Sequence, residues 1–256
     1  MTAALVIAHP GHELRVHGWM EGHRPLVYVL TDGSGSRGGS RLESTRRTIE
    51  RAGAAPGRIF GRFTDREVYR LLLEDRPAAL VALSEELAAA LAEAGSSVVA
   101  GDALEGFNPV HDVTRLLLNA AVRMAAARGF AVRNLEFVLE GRPDEPPGNA
   151  SGGRLDEDSF RRKLAAARAY PEMAEEVRAA AEQFGLEAFR HEVLRAAEGG
   201  LAVREALGGP PFYERHGEAR VAEGVYREVL RRERHLLPLA EALRERVDRE
   251  VRACAS

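Results

Sequence analysis

Three histidines are spaced so that they could bind a single metal ion. His9 and His12 lie in Ala8-His9-Pro10-Gly11-His12-Glu13, directly after an apolar segment, and His111 ends the downstream motif Asn108-Pro109-Val110-His111. Neutral imidazoles bind divalent transition metals, and three imidazoles plus one water form a known catalytic zinc set. The sequence therefore predicts a site for Zn2+, or another divalent transition metal, with His9, His12 and His111 as ligands.

Predicted strands would bring these histidines together. The apolar run 3–8 is typical of a strand buried on both faces, and Pro10 with Gly11 ends it. A second apolar run, 25–30, is followed by Thr31-Asp32-Gly33, and a third, 97–100, leads into the segment that ends with His111. Ligands of parallel α/β sheets gather outside the carboxyl ends of the strands. We therefore expect the three loops to meet at one edge of the sheet.

Helical periodicity between and after these strands indicates the fold class. The alternation predicts an α/β fold: a Rossmann-like, three-layer domain built on a parallel sheet, with a C-terminal helical extension. We assign residues 1–140 to the α/β metal-site domain, 141–155 to a linker rich in proline and glycine, and 156–256 to helices that pack on the first domain. Whether the extension forms a lid or a dimer face is left open. The predicted helices are 42–55, 77–94, 113–128, 156–169, 171–184, 186–197 and 220–252, with an interruption near Pro238, and 133–139 is a predicted strand.

The motifs resemble those of the LmbE-like, or PIG-L, zinc-dependent N-deacetylases. Members of that family carry Ala-His-Pro-Asp-Asp-Glu after the first strand, Thr-Asp-Gly after the second and His-Pro-Asp-His later. Ala8-His9-Pro10, Thr31-Asp32-Gly33 and Asn108-Pro109-Val110-His111 match in part. The resemblance covers about the first half of the chain and weakens beyond Val132. It implies removal of an acetyl group from an amino sugar, with Arg41 near the substrate.

The departures from the family motifs bear on the mechanism. Histidine replaces the family's aspartate ligand at His12, which keeps a metal-binding side chain. The family's general base corresponds to Gly11, and the aspartate of its last motif corresponds to Val110. A relocated carboxylate would have to transfer protons instead. The candidates, in order of preference, are Glu13, Glu105 and Asp112, with Asp32 orienting a histidine.

Further polar residues are candidates for binding the substrate. Arg37 and Arg41 could hold a carboxylate or phosphate through two parallel hydrogen bonds. Tyr213 and His216 lie in the segment 208–220, which is read as a loop and could reach the site to supply a proton. For all four residues, a role in capping or on the solvated surface is the competing interpretation.

Composition limits the partners. The 256 residues carry a net charge of −3, and Arg-rich stretches alternate with glutamates, so nucleic-acid binding is disfavoured. No apolar stretch approaches the roughly 20 residues that span a bilayer, and the start of the chain lacks the pattern of a signal peptide. A lone cysteine, Cys254, excludes an internal disulfide framework. We expect a cytoplasmic protein with a small-molecule substrate, and leave open whether it forms a homo-oligomer.

Two functions of different class follow from these residues. The first is a metal-dependent hydrolase that removes an N-acyl group from an amino sugar or a related small polar metabolite. The second is a relative that binds a metal or ligand without hydrolysis, consistent with Gly11 and Val110 at positions where acidic residues are expected. A third possibility keeps the site and changes the reaction.

Overall fold

The structure is a computed structural model that describes residues 2–35, 38–144, 151–201 and 209–255. Within these residues, seven strands form one sheet in the order β3-β2-β1-β4-β5-β7-β6. The first five strands are parallel, whereas β7 runs antiparallel to β5 and to β6. The strands are Thr2–Ile7 (β1), Leu26–Thr31 (β2), Ala55–Phe63 (β3), Ser96–Asp102 (β4), Arg133–Phe137 (β5), Ser151–Arg154 (β6) and His191–Ala196 (β7).

Helices cover both faces of the sheet. The α-helices are His17–His23 (α1), Leu42–Arg51 (α2), Asp65–Leu73 (α3), Ala78–Glu93 (α4), Pro109–Ala127 (α5), Glu157–Arg168 (α6), Ala174–Phe184 (α7), Phe212–Ala222 (α8) and Leu237–Cys254 (α9). Shorter 3-10 helices span His12–Val16, Pro171–Met173 and Leu186–Arg190, and a π-helical turn spans Arg232–Leu236.

The side chains of β1 alternate between two hydrophobic cores, which explains why this strand is an unbroken apolar run. Leu5 and Ile7 pack with Ile49 of α2 on one face of the sheet. Ala4 and Val6 belong to the core on the other face, where helices α3, α4, α5 and α9 pack. A sheet with helices on both faces has three layers. The predicted α/β class, with a mostly parallel sheet and a C-terminal helix on it, is confirmed.

The sheet order places a crevice at the end of β1. Strand β1 lies between β2 and β4, so the chain winds in opposite directions on its two sides. The carboxyl ends of the two strands at such a reversal leave a gap in which ligands of open α/β sheets bind. His9 and His12 follow β1 directly, and β4 ends at Asp102, a few residues before His111. The topology therefore brings the three histidines to one crevice.

Helix α5 begins earlier than the sequence predicts. The sequence predicts this helix over 113–128, whereas it spans Pro109–Ala127. His111 therefore lies in the first turn of the helix and not in a loop. Asn108 is the N-cap, where its side chain accepts a hydrogen bond from the Val110 N–H (2.9 Å), and Pro109 fits the first helical position. Because the first turn is rigid, the backbone of His111 is fixed by the helix.

The second half of the chain differs from prediction in three places. The helix predicted over 186–197 is wrong: a 3-10 helix leads into β7, whose burial alternates with the period of two that a strand shows. The loop predicted over 208–220 is wrong beyond Pro211, where residues 212–220 form most of α8, and residue 208 lies outside the described residues. The structure has two helices where one is predicted over 220–252: α8 ends at Ala222, and α9 begins at Leu237.

Part of the predicted linker belongs to the sheet. Strand β6 lies within 141–155 and pairs with β7, while residues 145–150 lie outside the described residues. Helix α9 packs on α5 and α4. The domain division itself stays a prediction. None of the helices in the described ranges has the length and apolar character needed to cross a membrane.

Candidate metal centre and substrate chamber

The structure brings His9, His12 and His111 into one cluster. Their ring centroids lie 5.3 Å apart for His9 and His12, 5.1 Å for His9 and His111, and 4.6 Å for His12 and His111. The rings meet edge to face, with interplanar angles of 87°, 64° and 88°. Three imidazoles from two separated segments thus share the crevice at the end of β1.

Two buried carboxylates hold two of these rings. The Asp102 carboxylate accepts hydrogen bonds from the Ala8 N–H (2.7 Å) and from Nδ1 of His12 (2.9 Å). Nδ1 of His9 lies 2.8 Å from Oδ1 of Asp65 and 2.8 Å from Oγ1 of Thr31. A carboxylate on one ring nitrogen fixes the tautomer and directs the lone pair of the other nitrogen outwards, as in histidines that bind metals.

Burial favours the neutral form of His9 and of His111. Removal from water lowers the pKa of His9 and lowers that of His111 further, and the neighbouring histidines add to both effects. Burial alone would raise the pKa of Asp65, but its hydrogen bond with His9 holds that pKa at about 2. Neutral imidazoles beside ionised carboxylates are in the protonation state that metal binding requires.

Two ring nitrogens of the cluster are buried without a hydrogen-bond partner. They are Nε2 of His9 and Nδ1 of His111. A buried polar atom without a partner is destabilising, and a metal ion would satisfy such a lone pair. Across the part of the chain that the structure describes, no group of three or more His, Cys, Asp or Glu side chains is arranged to hold a metal ion. The donor chemistry of the three imidazoles fits a divalent metal, whereas their arrangement does not by itself define a metal site, so the metal site stays a prediction.

A methionine covers the position of the missing base. Gly11 has φ of 108°, and a Cβ atom built there would lie 3.0 Å from Sδ of Met173. The same sulfur lies 2.9 Å from Nη1 of Arg41, whose Nη2 is 3.8 Å from Glu176. The volume that an acidic side chain at position 11 would occupy is therefore filled from the helical half of the chain.

Backbone amides engage the three predicted proton-transfer carboxylates, Glu13, Glu105 and Asp112. They also engage Asp32, which the sequence predicts to orient a histidine. Glu13 accepts from the Gly11 N–H, and burial raises its pKa. Glu105 accepts from Leu139 and Glu140, while Asp112 accepts from Glu105 and Gly106. Burial raises the pKa of Glu105 and that of Asp112 to about 7. Asp32 accepts from Ser34, as expected of a turn after a strand. These contacts hold the loops around the histidines.

The predicted substrate-binding residues are dispersed. Arg41 lies beside Met173 and Glu176 of the helical half of the chain. Tyr213 is buried in the first turn of α8. Burial raises the pKa of its hydroxyl group, and the nearby carboxylate of Asp112 raises it further. His216 is exposed on α8 and stacks on Phe212 at 5.7 Å between ring centroids. Arg37 lies outside the described residues.

A cavity of about 790 Å3 opens against the histidine cluster. We call it the chamber. Its sheet side consists of Gly11, His12, Leu14, Arg15, His111 and the segment 139–142. Its helical side consists of residues of the segment 163–189, from α6, α7 and the 3-10 helices on either side of α7. The chamber connects the imidazoles with a wall that the predicted site did not include.

Sequence reasoning missed Asp102, Asp65, Thr31 and Met173. Asp102 had a usable signal, because it is the carboxylate that ends a buried strand next to the expected crevice. Asp65 follows Thr64, which forms a capping box with Glu67. This pattern predicts the start of a helix but does not predict a contact between Asp65 and His9. Met173 is brought to Gly11 by long-range packing alone, for which the local sequence has no pattern.

Comparison with known proteins bears on the fold. No protein-family model and no curated protein matches the sequence. Among solved structures, a triple mutant of a deacetylase from the teicoplanin biosynthetic pathway is 14% identical, with 77% of this chain and 99% of that chain covered and a TM-score of 0.52. A second structure of a deacetylase in teicoplanin biosynthesis is 16% identical over the same shares, with a TM-score of 0.50.

The chain has the fold of these deacetylases. The α/β fold that the sequence predicts is therefore shared with these solved structures. The A40926 pseudoaglycone deacetylase is also similar, at 20% identity over 76% of this chain and 96% of its own, with a TM-score of 0.48. With identities this low the shared architecture carries no reaction with it. The activity has to be argued from the residues of the site.

Proposed function

We propose that this protein is a metal-dependent hydrolase that removes an N-acyl group from an amino sugar or a related small polar metabolite. The observation that carries the proposal is the cluster of His9, His12 and His111 at the reversal of the sheet order, with buried ring nitrogens that have no partner. Such a cluster opening onto a large cavity is the arrangement expected of an active site. The reaction would cleave a C–N bond with water.

The three histidines would hold Zn2+ or another divalent transition metal. When bound, the ion would polarise the acyl carbonyl group and lower the pKa of water toward about 7. Asp102 and Asp65 would orient His12 and His9 through their Nδ1 atoms.

Proton transfer would fall to Glu140. Of the carboxylates near the cluster, Glu140 and Glu176 line the chamber together with His12 and His111. Glu140 is an exposed residue, and the desolvation that remains at the chamber wall raises the pKa of its carboxyl group, an effect that Arg15 and His12 oppose. A carboxyl group with a raised pKa can accept a proton from water and return it to the leaving amine. Glu13, Glu105 and Asp112 would instead keep the loops in place through their bonds to backbone amides.

Arg41 would bind the polar part of the substrate. Its guanidinium group lies at the boundary between Met173 and Glu176, at the edge of the chamber. The planar guanidinium donates several hydrogen bonds in fixed directions, which suits hydroxyl or carboxylate groups of a sugar.

The test is acyl release by the metal-loaded protein from a panel of N-acetyl amino sugars. Glu140→Gln should lower kcat by roughly a hundredfold or more, with metal content unchanged. Glu176→Gln is the matched control, because Glu176 also lines the chamber but is engaged with Arg41, and its kcat should stay within about threefold of wild type. Equal losses in both variants would contradict the role of Glu140.

The filled position at Gly11 favours a second candidate function. With Met173 covering that residue, the protein could bind a metal or ligand at the same cluster without hydrolysis. Stoichiometric metal with no acyl release across the panel would support this alternative over the hydrolase.

A further inference from the structure

A thioether reaches the turn that carries two of the three histidines. Met173 is half-buried, and its side chain lies against Gly11, between His9 and His12 in the chain. A Cβ atom built on Gly11 would lie 3.0 Å from Sδ and 3.2 Å from Cε of Met173. Met173 also lines the same chamber as His12 and His111. The sulfur therefore lies on the chamber wall beside the histidine cluster.

Arg41 places this sulfur and leaves it able to bind a metal. Nη1 of Arg41 donates a hydrogen bond to Sδ of Met173 at 2.9 Å, and the methionine ends the short 3-10 helix Pro171–Met173. A thioether sulfur has two lone pairs and is a weak hydrogen-bond acceptor. One lone pair therefore remains for a metal ion when the other accepts from Arg41.

The donors at the cluster are softer than those of the family motifs. Histidine stands at position 12 in place of the family's aspartate ligand, and Gly11 has no side chain. Nε2 of His9 and Nδ1 of His111 are buried without a hydrogen-bond partner. Imidazole nitrogens bind zinc and copper alike, whereas a thioether is a soft donor of the kind that selects Cu(I). Three imidazoles with a thioether form a donor set that suits Cu(I).

The chamber wall that carries the sulfur is largely apolar. Its lining includes the side chains of Leu14, Leu139, Val177 and Ala180. The cost of moving an ion from water into apolar surroundings rises with the square of its charge, so such a wall penalises a divalent ion more than Cu(I). The apolar shell around a metal also tunes its reduction potential. The wall therefore favours the lower charge state of copper.

We propose that Met173 is a fourth ligand at the histidine cluster and that the completed site binds Cu(I). The proposal rests on the metal-binding part of the proposed function, and it adds an ion and a ligand that lie outside the three sequence motifs. It also gives a chemical role to the methionine that fills the space beside Gly11. Zn2+ needs only three imidazoles and a water, so the two ions should differ in their dependence on Met173.

The affinity is measured by anaerobic titration of the metal-free, full-length protein with Cu(I) in competition with the chromophoric chelator bicinchoninate. All proteins carry Cys254→Ser, because the exposed thiol of Cys254 would itself bind Cu(I). We expect one Cu(I) per chain. Met173→Leu, which nearly conserves the side-chain volume, should weaken Cu(I) binding by roughly tenfold or more.

Two controls separate the loss of a ligand from a general effect. The Zn2+ affinity of Met173→Leu should change by less than about threefold, because three imidazoles and a water complete a zinc set. Met124→Leu makes the same change at a methionine that is fully buried in α5 and does not line the chamber. It should alter the affinity for neither ion.

X-ray absorption at the copper edge identifies the ligands in the same Cys254→Ser protein. It should show nitrogen donors together with one sulfur, and the sulfur should be lost in Met173→Leu. The measurement on the parent protein needs no substitution at Met173. It therefore decides the proposal even if circular dichroism shows that Met173→Leu is misfolded.

Failure of this proposal can be distinguished from failure of the proposed function. Copper bound by nitrogen alone, or equal Cu(I) affinity in Met173→Leu and its parent, overturns the copper site, and acyl release by the zinc-loaded protein would then still support the hydrolase. Cu(I) binding that depends on Met173, without acyl release by the zinc-loaded protein, keeps the copper site and removes the hydrolase. Absence of binding for both ions overturns both.

Discussion

The two sides of the chamber are built differently. On the sheet side, polar residues sit at the ends of parallel strands and are fixed by buried hydrogen bonds, such as those of Asp102 to Ala8 and His12. On the helical side, α7 has no buried residue and presents apolar side chains. The sheet side therefore holds its polar residues rigidly, whereas the helical side is an apolar surface that faces the cavity. The predictions below test how far this division holds.

The largest effect on stability is expected for the buried ion pair that links the helical side of the chamber to the sheet. Lys163 of α6 pairs with Glu192, and the side chains are 6% and 4% exposed. Lys163→Met should lower the free energy of unfolding by roughly 3–5 kcal/mol, because it leaves a buried carboxylate without its cation. In this variant Glu192 still accepts hydrogen bonds from the N–H groups of Gly18 and Trp19, so a loss at the lower end of this range is expected. Urea denaturation measures it, and Lys163→Met combined with Glu192→Gln should recover much of the loss. A loss under about 1 kcal/mol would show that the pair is not needed.

The pH dependence of stability tests the sheet side. Burial raises the pKa of Asp112 from 3.8 to about 7. The folded protein therefore binds this proton more tightly than the unfolded chain does. The resulting contribution of Asp112 to the free energy of unfolding is complete below about pH 3.8 and is lost as the pH rises through about 7. The free energy of unfolding should fall by on the order of 2–4 kcal/mol across that window. Asp112→Asn should flatten this part of the profile in denaturation curves from pH 4 to pH 8, and an unchanged slope would be evidence against a protonated Asp112.

The contact between the two sides at Gly11 gives an intermediate effect. Gly11→Asp places a side chain at φ of 108° and against Met173, and should destabilise the protein by about 1–3 kcal/mol. Met173→Ala should relieve the steric part, so the double variant should be more stable than the sum of the single changes predicts. Additive losses, measured by thermal denaturation, would mean that Met173 does not press on position 11.

The smallest effect is expected for the exposed link between the sides. Arg162 of α6 donates two hydrogen bonds to Glu21 of α1, at 2.6 and 3.0 Å. Arg162→Ala should lower the free energy of unfolding by less than about 1 kcal/mol, because solvent screens exposed ion pairs. Arg161→Ala, which removes a pair with Asp158 inside α6, is the control. A loss for Arg162→Ala comparable with that of Lys163→Met would contradict the division into a buried and an exposed link.

The same division explains what could be predicted from the sequence. Apolar runs in the sequence predict where the strands end and where the turn after Thr31 lies. The rules of parallel sheets then predict that His9, His12 and His111 converge, as they do. The predicted fold class is confirmed. Short polar motifs after buried strands carry this information locally.

The helical side could not be predicted in the same way. The sequence 186–197 has an apolar content compatible with a helix, and its pairing in the sheet as β7 depends on neighbouring strands that are distant in sequence. The contact of Met173 with Gly11 depends on how α6 and α7 pack. The acidic candidates Glu13 and Asp112 are adjacent in sequence to histidines of the cluster, but the direction of each carboxylate follows from the amides around it.

Metal binding by the histidine cluster is the central claim, and zinc titration of the purified, metal-free protein tests it most directly. We predict one Zn2+ ion per chain, with affinity reduced by about a hundredfold or more in His111→Ala. His216→Ala should bind zinc as wild type does, because His216 is exposed on α8 and stacked on Phe212. Absence of stoichiometric binding, or equal affinity in His111→Ala and wild type, would contradict the account.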